Sequence, residues 1–326
     1  MSDIEKSNSR GATLALGGFA VFASHDVVIK ILGGTYSAFQ IVFFSVLLSF
    51  PLVTIMLMRD STPGTLLPSH PWWTALRTGA AVISAPCAFY AFSVLPLAQV
   101  YAILFAMPLL VTVLSIPILG EKVGPWRLGA VVVGFGGVIL MMQAWRGESA
   151  PADVHWLILV LPMFSALAYA LNQLMTRKLG VASKASAMAV YIQAMFILVS
   201  LGFFLVAGDG RFAQDASNES IIFLLRAWVW PEGPDRWLFL GLGLNSAIIG
   251  YALGQAYRLA NAATVAPFEY LGLPLAVFWG WVIWAEFPAP LVLAGIALIM
   301  GSGLFVFLRE RIKSRPMIKK RVHRRY

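Results

Sequence analysis

Ionisable and amide side chains set inside apolar stretches are where this sequence can do chemistry. His25 and Asp26 lie within the apolar run 11–32, and Glu269 lies within 262–285. A carboxylate in hydrocarbon is costly unless it is paired or wet. Asp26 and Glu269 are therefore expected to face a water-filled cavity, where each can meet a cationic group or carry a proton. His25 can titrate near neutral pH, or be a histidine satisfied in a helix contact. Lys30 follows Asp26 by four residues, in the acid-first order that favours an ion pair on one helix face. The alternative to the cavity reading is an internal Asp26–Lys30 ion pair that allows insertion, with the ammonium reaching the outer interface.

The pattern repeats. At a shift of 147 positions, Lys30-Ile31-Leu32-Gly33 falls on Arg177-Lys178-Leu179-Gly180, and His25 and Asp26 fall on Asn172 and Gln173. At a shift of 165, residues 91–140 meet 256–305 with nine identities in fifty pairs, Glu121 on Glu286 and Pro125 on Pro290 among them. The longer polar insert of the second half, 208–234, accounts for the growth of the shift. The same alignment sets Tyr90 against Gln255, Gln99 against Thr264 and Leu104 against Glu269. A duplicated unit with a polar pair at one depth in each copy is the signature of an internal repeat. Gln99, Asn172, Gln173 and Gln255 are expected to orient a substrate. Tyr90, Tyr101, Tyr169, Tyr251 and Tyr270 either line a pocket for a ring or an aliphatic body, or simply pack.

The elements that must hold these groups follow from composition. The chain is 59% hydrophobic and 12% charged, with mean hydropathy +0.79, which places it among polytopic membrane proteins. Ten runs long enough to cross a bilayer fall near 11–32, 36–58, 72–94, 97–119, 125–144, 154–176, 185–207, 236–257, 262–285 and 288–308. The fold class expected is all-α integral membrane, ten transmembrane helices in two inverted five-helix repeats. The first run is read as a retained span, not a cleaved signal peptide. With the N-terminus in the cytoplasm, 19 of the 24 Lys and Arg lie on the inner side, so both termini are expected there. An odd number of spans per half then inserts the halves upside down relative to each other. The division expected is a cytoplasmic N-terminus 1–10, repeats 11–144 and 154–308, and a basic cytoplasmic tail 309–326. Within the insert, Ile221 to Leu225 with Trp228 and Trp230 reads as a short interfacial helix or as a loop. Gly250 with Gly254, and Ala130 with Gly134, read as close helix contacts, and Arg77 as a snorkelling side chain.

Other classes are excluded. Nine of the Lys and Arg crowd into the last eighteen residues, so the net charge of +9 points to anionic lipid headgroups and not to nucleic acid. One cysteine, Cys87, rules out a disulfide framework, and four dispersed histidines rule out a zinc site. No Gly-rich phosphate loop exists, so the chain has no ATP motor of its own. No cofactor, metal or catalytic residue is expected. The partners expected are a small-molecule substrate, lipid, and a proton or counter-substrate, with the chain a monomer or homodimer.

The run Leu95-Pro96-Leu97-Ala98-Gln99-Val100 through Pro108 to Leu119-Gly120-Glu121-Lys122, with its counterpart Ala266-Pro267-Phe268-Glu269-Tyr270 to Ala285-Glu286, resembles the drug/metabolite transporter superfamily, in particular its EamA-type members. The resemblance implies ten helices, both ends inside, and a central cavity bounded by the first, third, fourth, sixth, eighth and ninth. It implies secondary transport of amino acids and related metabolites across the cytoplasmic (inner) membrane by alternating access. Members of this kind also include carriers of S-adenosylmethionine and riboflavin. The second-half exit motif departs from the family's Gly-Glu, reading Trp284-Ala285-Glu286.

Overall fold

The computed structural model describes residues 3–59, 70–120, 123–145, 157–179, 185–214, 222, 224–259 and 268–313. Among them the chain is helical throughout, in the order α1 (Asp3–Gly33), α2 (Ala38–Met58), α3 (Pro71–Val94), α4 (Leu97–Leu104), α5 (Met107–Leu119), α6 (Pro125–Trp145), α7 (Leu157–Leu179), α8 (Ala185–Ala207), α9 (Asp235–Leu259), α10 (Gly272–Trp284) and α11 (Pro290–Lys313). Five of these helices are long and apolar enough to cross a membrane on their own, and four are shorter apolar helices. With α4 and α5 counted as one broken crossing, the helices make ten spans, and the protein is an all-α, multi-pass membrane protein.

The run 97–119, expected to be one helix, breaks at Phe105-Ala106. Pro108 explains the break, because it has no N–H to offer the Leu104 carbonyl and its ring crowds that turn. The second half breaks at Tyr270-Leu271, 165 positions on, with Pro274 opening α10. The two breaks touch, the Phe105 and Tyr270 rings lying 5.5 Å apart. The duplication extends to the exits. Gly120 closes α5 in the left-handed conformation at φ 69°, and Ala285, 165 positions later, closes α10 likewise at φ 54°. The Trp-Ala-Glu departure thus keeps the turn of the Gly-Glu motif and places a side chain where glycine is the unstrained choice.

Packing obeys the same exchange of halves. α1 packs chiefly on α9, and its counterpart α7 on α3; α2 pairs with α8, α6 with α11, and α4 with α10. Swapping the two halves maps the first four of these contacts onto one another, the pattern expected of a duplicated five-span unit, while the counterpart of α4 lies mostly outside the described residues.

Two expectations need correction. Arg77 does not snorkel: it is buried, and its Nε donates to Thr176 Oγ1 of α7 at 2.6 Å. Gly134 is the close contact expected, against Leu109 and Ser302, but Gly250 has no atom near the position of a Cβ. The insert folds back onto the bundle: Trp228 packs on Phe43 and Phe204, and the Gln40 amide donates to the Val229 carbonyl at 2.5 Å. Of the run 221–225, read as a short interfacial helix or a loop, the described residues 222, 224 and 225 are helical. Residues 314–326 of the basic tail lie outside the described residues.

Candidate functional site

Asp26 is the hub of the polar interior. It is 3% exposed, and the Tyr101 hydroxyl on α4 donates to its Oδ2 at 2.5 Å. His25 Nδ1 stands 3.4 Å from Asp26 Oδ1, and His25 Nε2 stands 3.1 Å from Ser246 Oγ on α9. Ser45 Oγ on α2 joins the same hydroxyl at 3.0 Å. Four spans from both halves thus meet on one buried dyad. Of the two readings, the internal Asp26–Lys30 pair does not form: Asp26 turns toward α4 and Lys30 toward the far half of the chain.

Tyr101 carries the network inward. Its ring lies 6.1 Å from Phe105, which meets Tyr270 at the touching breaks. Gly272 makes room for that ring: a Cβ there would sit 2.7 Å from Tyr101 Cε1. Gly303 does the same for the Tyr270 hydroxyl. Glu269, adjacent to Tyr270, is half-buried.

Tyr169 is accessible on a face of α7 away from its apolar stripe. On α7, Val160 and Phe164 are exposed and apolar, as a lipid-facing stripe should be. Tyr169 lies nine residues, two and a half turns, beyond Val160 and so projects from the opposite side, yet it is 41% exposed. Gln173, one turn on, is exposed as well and donates to the Tyr169 hydroxyl at 3.1 Å. Between them and the lipid stripe run the contacts to α3 through Ser165 and Asn172. Tyr169 and Gln173 thus present an accessible face on the side of α7 opposite its lipid-facing stripe. Phe22, the position 147 before Tyr169, is likewise 40% exposed, and its ring is 6.3 Å from His25. Phe89 flanks His25 from α3 at 6.5 Å. Aromatic rings at these depths read as ordinary packing in sequence; only the phase of each helix, with burial known, separates Phe22 from its lipid-facing neighbours.

The remaining candidates fall elsewhere. Asn172 donates to the Arg77 carbonyl at 3.1 Å and so fastens α7 to α3. Tyr90 is fully buried beside a lateral apolar crevice of about 240 Å³ that also touches Cys87 and Phe203. Tyr251 and Gln255 share the α9 stripe of Trp237, Leu244 and Ile248, turned away from Ser246, and Tyr251 is 51% exposed. The Gln99 side chain lies outside the described residues.

One end of the bundle is tied shut. Lys30 Nζ donates to Glu286 Oε2 at 2.8 Å and to Oε1 at 3.0 Å, reaches the Leu95 carbonyl at 3.4 Å, and lies 4.6 Å from the centre of the Trp284 ring. The same end holds a bond from Tyr36 to Asp235 at 2.8 Å and one from Arg226 to the Gly34 carbonyl at 2.7 Å.

This arrangement, touching helix breaks at the centre of a duplicated bundle with a buried carboxylate beside them, defines a membrane carrier. The family model of the EamA-like transporter family matches residues 9–143. The chain is 31% identical over 245 residues to a riboflavin transporter of Vibrio cholerae, covering 74% of each protein. It is 24% identical over 311 residues to an S-adenosylmethionine uptake transporter of Rickettsia prowazekii, covering 95% of this chain and 97% of that one. One crystal structure shares the fold at TM-score 0.60 and 15% identity, across 95% of this chain and 99% of the other. The chain belongs to the EamA-like family of the drug/metabolite transporter superfamily. It is a transporter of small metabolites, and not an enzyme.

Proposed function

We propose that the protein is a secondary transporter of the cytoplasmic membrane that carries a flat, ring-bearing metabolite of the riboflavin class by alternating access, with residues 11–144 and 154–308 as its inverted repeats. The observation that carries this reading is the accessible face of Tyr169 and Gln173 opposite the lipid-facing stripe of α7, with Phe22 and Phe89 beside the Asp26 dyad. Aromatic walls hold a planar ring through stacking, and the Gln173 carboxamide offers a donor and an acceptor to the edge of such a ring. The relatives named for riboflavin give the substrate to try first.

Alternating access is supported by an asymmetry between the halves. α1 meets α3 across the interior, whereas their counterparts α7 and α9 make no comparable contact among the described residues. The bundle is pinched toward the Lys30 end and slack where the duplicate contact would fall, as a carrier closed to one side is. Positive-inside placement puts the Lys30 end outside and both termini in the cytoplasm. The contact of His25 with Asp26, 3.4 Å apart and held from α9 by Ser246, supports placing the coupling of transport to a proton or counter-substrate at this pair.

A second reading, a zwitterionic amine or sulfonium substrate such as S-adenosylmethionine, is favoured by the two carboxylates, Asp26 and Glu269. Counterflow of radiolabelled riboflavin and of S-adenosylmethionine in proteoliposomes decides between them. Riboflavin flux that falls in Glu269→Gln supports the first reading. S-adenosylmethionine flux without riboflavin flux supports the second, and flux of neither removes both.

A further inference from the structure

We infer that Gly250 is a clearance point in the substrate path, where the missing side chain sets the largest ring that path admits. This rests on the transport reading above. A glycine in a helix interior costs about 1 kcal/mol relative to alanine, so its place asks for a reason, and the usual one is a neighbouring helix too close for a Cβ. Gly18, Gly137 and Gly243 have that reason: a Cβ on each would strike Leu253, the Gly295 carbonyl or Leu48. Gly250 has no heavy atom of the described residues within 4 Å of a Cβ and is exposed.

Lipid exposure is the alternative, and the helix phase excludes it. The lipid-facing stripe of α9 runs through Trp237, Leu244 and Ile248, all exposed and apolar. Gly241, flanked by Trp237 and Leu244, belongs to it and also has open space around it. Gly250 is nine residues after Gly241, and so lies on the opposite side of the helix. It stands one turn after Ser246, the residue that holds His25. The space beside it is therefore interior, next to the dyad, on a helix where Leu48 fills the space at Gly243 and His25 meets Ser246. A substrate moving past Ser246 has its clearance at this point, and a branched side chain there would occupy the path without displacing any packed atom.

The test uses the full-length protein with Cys87 replaced by serine. In Gly250→Cys, a membrane-impermeant methanethiosulfonate reagent should label the thiol from the open side, whereas Gly241→Cys in lipid should resist it. In proteoliposomes Gly250→Leu should lower riboflavin counterflow by about tenfold or more, equivalent to at least 1.4 kcal/mol, with Gly250→Ala intermediate and Gly241→Leu within about twofold of the parent. Normal folding of Gly250→Leu is read from its size-exclusion profile and melting temperature. An unlabelled Gly250→Cys, or undiminished flux in Gly250→Leu, overturns the inference. A parent protein that carries no riboflavin but labels at Gly250→Cys overturns the substrate class alone, and the leucine variant is then read with S-adenosylmethionine.

Discussion

Lys30 Nζ lies 2.8 Å from Glu286 Oε2, joining the end of α1 to the turn after α10 across the two halves of the chain. The lysine side chain is 8% exposed and the glutamate 34%. A pair so placed is worth more than a surface ion pair, because removing one partner leaves the other charge partly desolvated. Lys30→Gln or Glu286→Gln should therefore loosen this end and raise the share of molecules open there, seen as faster thiol labelling of a cysteine placed at Leu95. The exchange Lys30→Glu with Glu286→Lys should return labelling toward the parent rate. A double variant as open as either single one would show that the contact does not act as a latch.

The duplication carries Lys30 onto Arg177 and Glu286 onto Glu121. Glu121 lies outside the described residues, and its part in the cycle is expected from sequence correspondence alone. Glu121→Gln should bias the transport cycle oppositely to Glu286→Gln, measured as the ratio of inward to outward exchange rates in oriented vesicles. Equal displacement in the same direction would break the equivalence of the two exits.

Most of the architecture was legible because it depends on run length and repetition. The ten spans, the two shifts and the odd count per half need only apolar periodicity and counting. Partners across the interior were less legible. Asp26 and Lys30 stand four apart, and the local rule pairs them, but tertiary contacts offered each a better partner, Tyr101 for the carboxylate and Glu286 for the ammonium. Asn172 and Gln173 show the same limit: adjacent in sequence, they leave the helix about 100° apart, so one fastens α3 and the other lies on the accessible face with Tyr169. Phe22 was missed altogether, since nothing in an apolar run marks which phenylalanine looks inward.

The hydrogen bond from Tyr101 satisfies the buried Asp26 carboxylate. Tyr101→Phe removes a donor to a buried carboxylate, a loss of roughly 1.5–3 kcal/mol, or about tenfold to a hundredfold in an equilibrium constant. Asp26→Asn should abolish proton-coupled accumulation while leaving counterflow measurable, because counterflow needs no net proton movement. Loss of both activities in a well-folded Asp26→Asn would assign the residue to substrate contact instead. Phe164→Ala on the lipid face is the matched control and should leave both within about twofold.

Tyr36, in the turn between α1 and α2, donates to Asp235 at the start of α9. Burial, and then the bond to Asp235, push its phenol up to about 12. A phenol raised above its ordinary value of about 10 favours the folded state in its neutral form. This contribution is complete below pH 10 and is lost as pH rises through about 12. Tyr36→Phe should lower the melting temperature of the purified protein at neutral pH and erase the part of the alkaline destabilisation that lies between those values. A variant with the parent's melting temperature and alkaline profile would show the bond to be incidental.

Ala285 holds a left-handed backbone at φ 54°, where its Cβ costs roughly 1–2 kcal/mol, and it stands immediately before Glu286. The strain is confined to the residue that aims the carboxylate at Lys30, and the turn is secured by bonds from Ala285 N to Trp281 O at 3.0 Å and from Glu286 N to Gly280 O at 3.1 Å. Glycine, which the first half has at Gly120, adopts this conformation freely. Ala285→Gly should therefore stabilise the closed arrangement by up to about 1 kcal/mol, after the greater chain entropy of glycine in the unfolded state is offset. If closure at this end must be undone in each cycle, the same change should slow exchange by a few-fold while raising the melting temperature. A variant that melts higher with unchanged exchange would place the strain outside the transport cycle, and one that melts lower would mean that Ala285 makes contacts worth more than its strain.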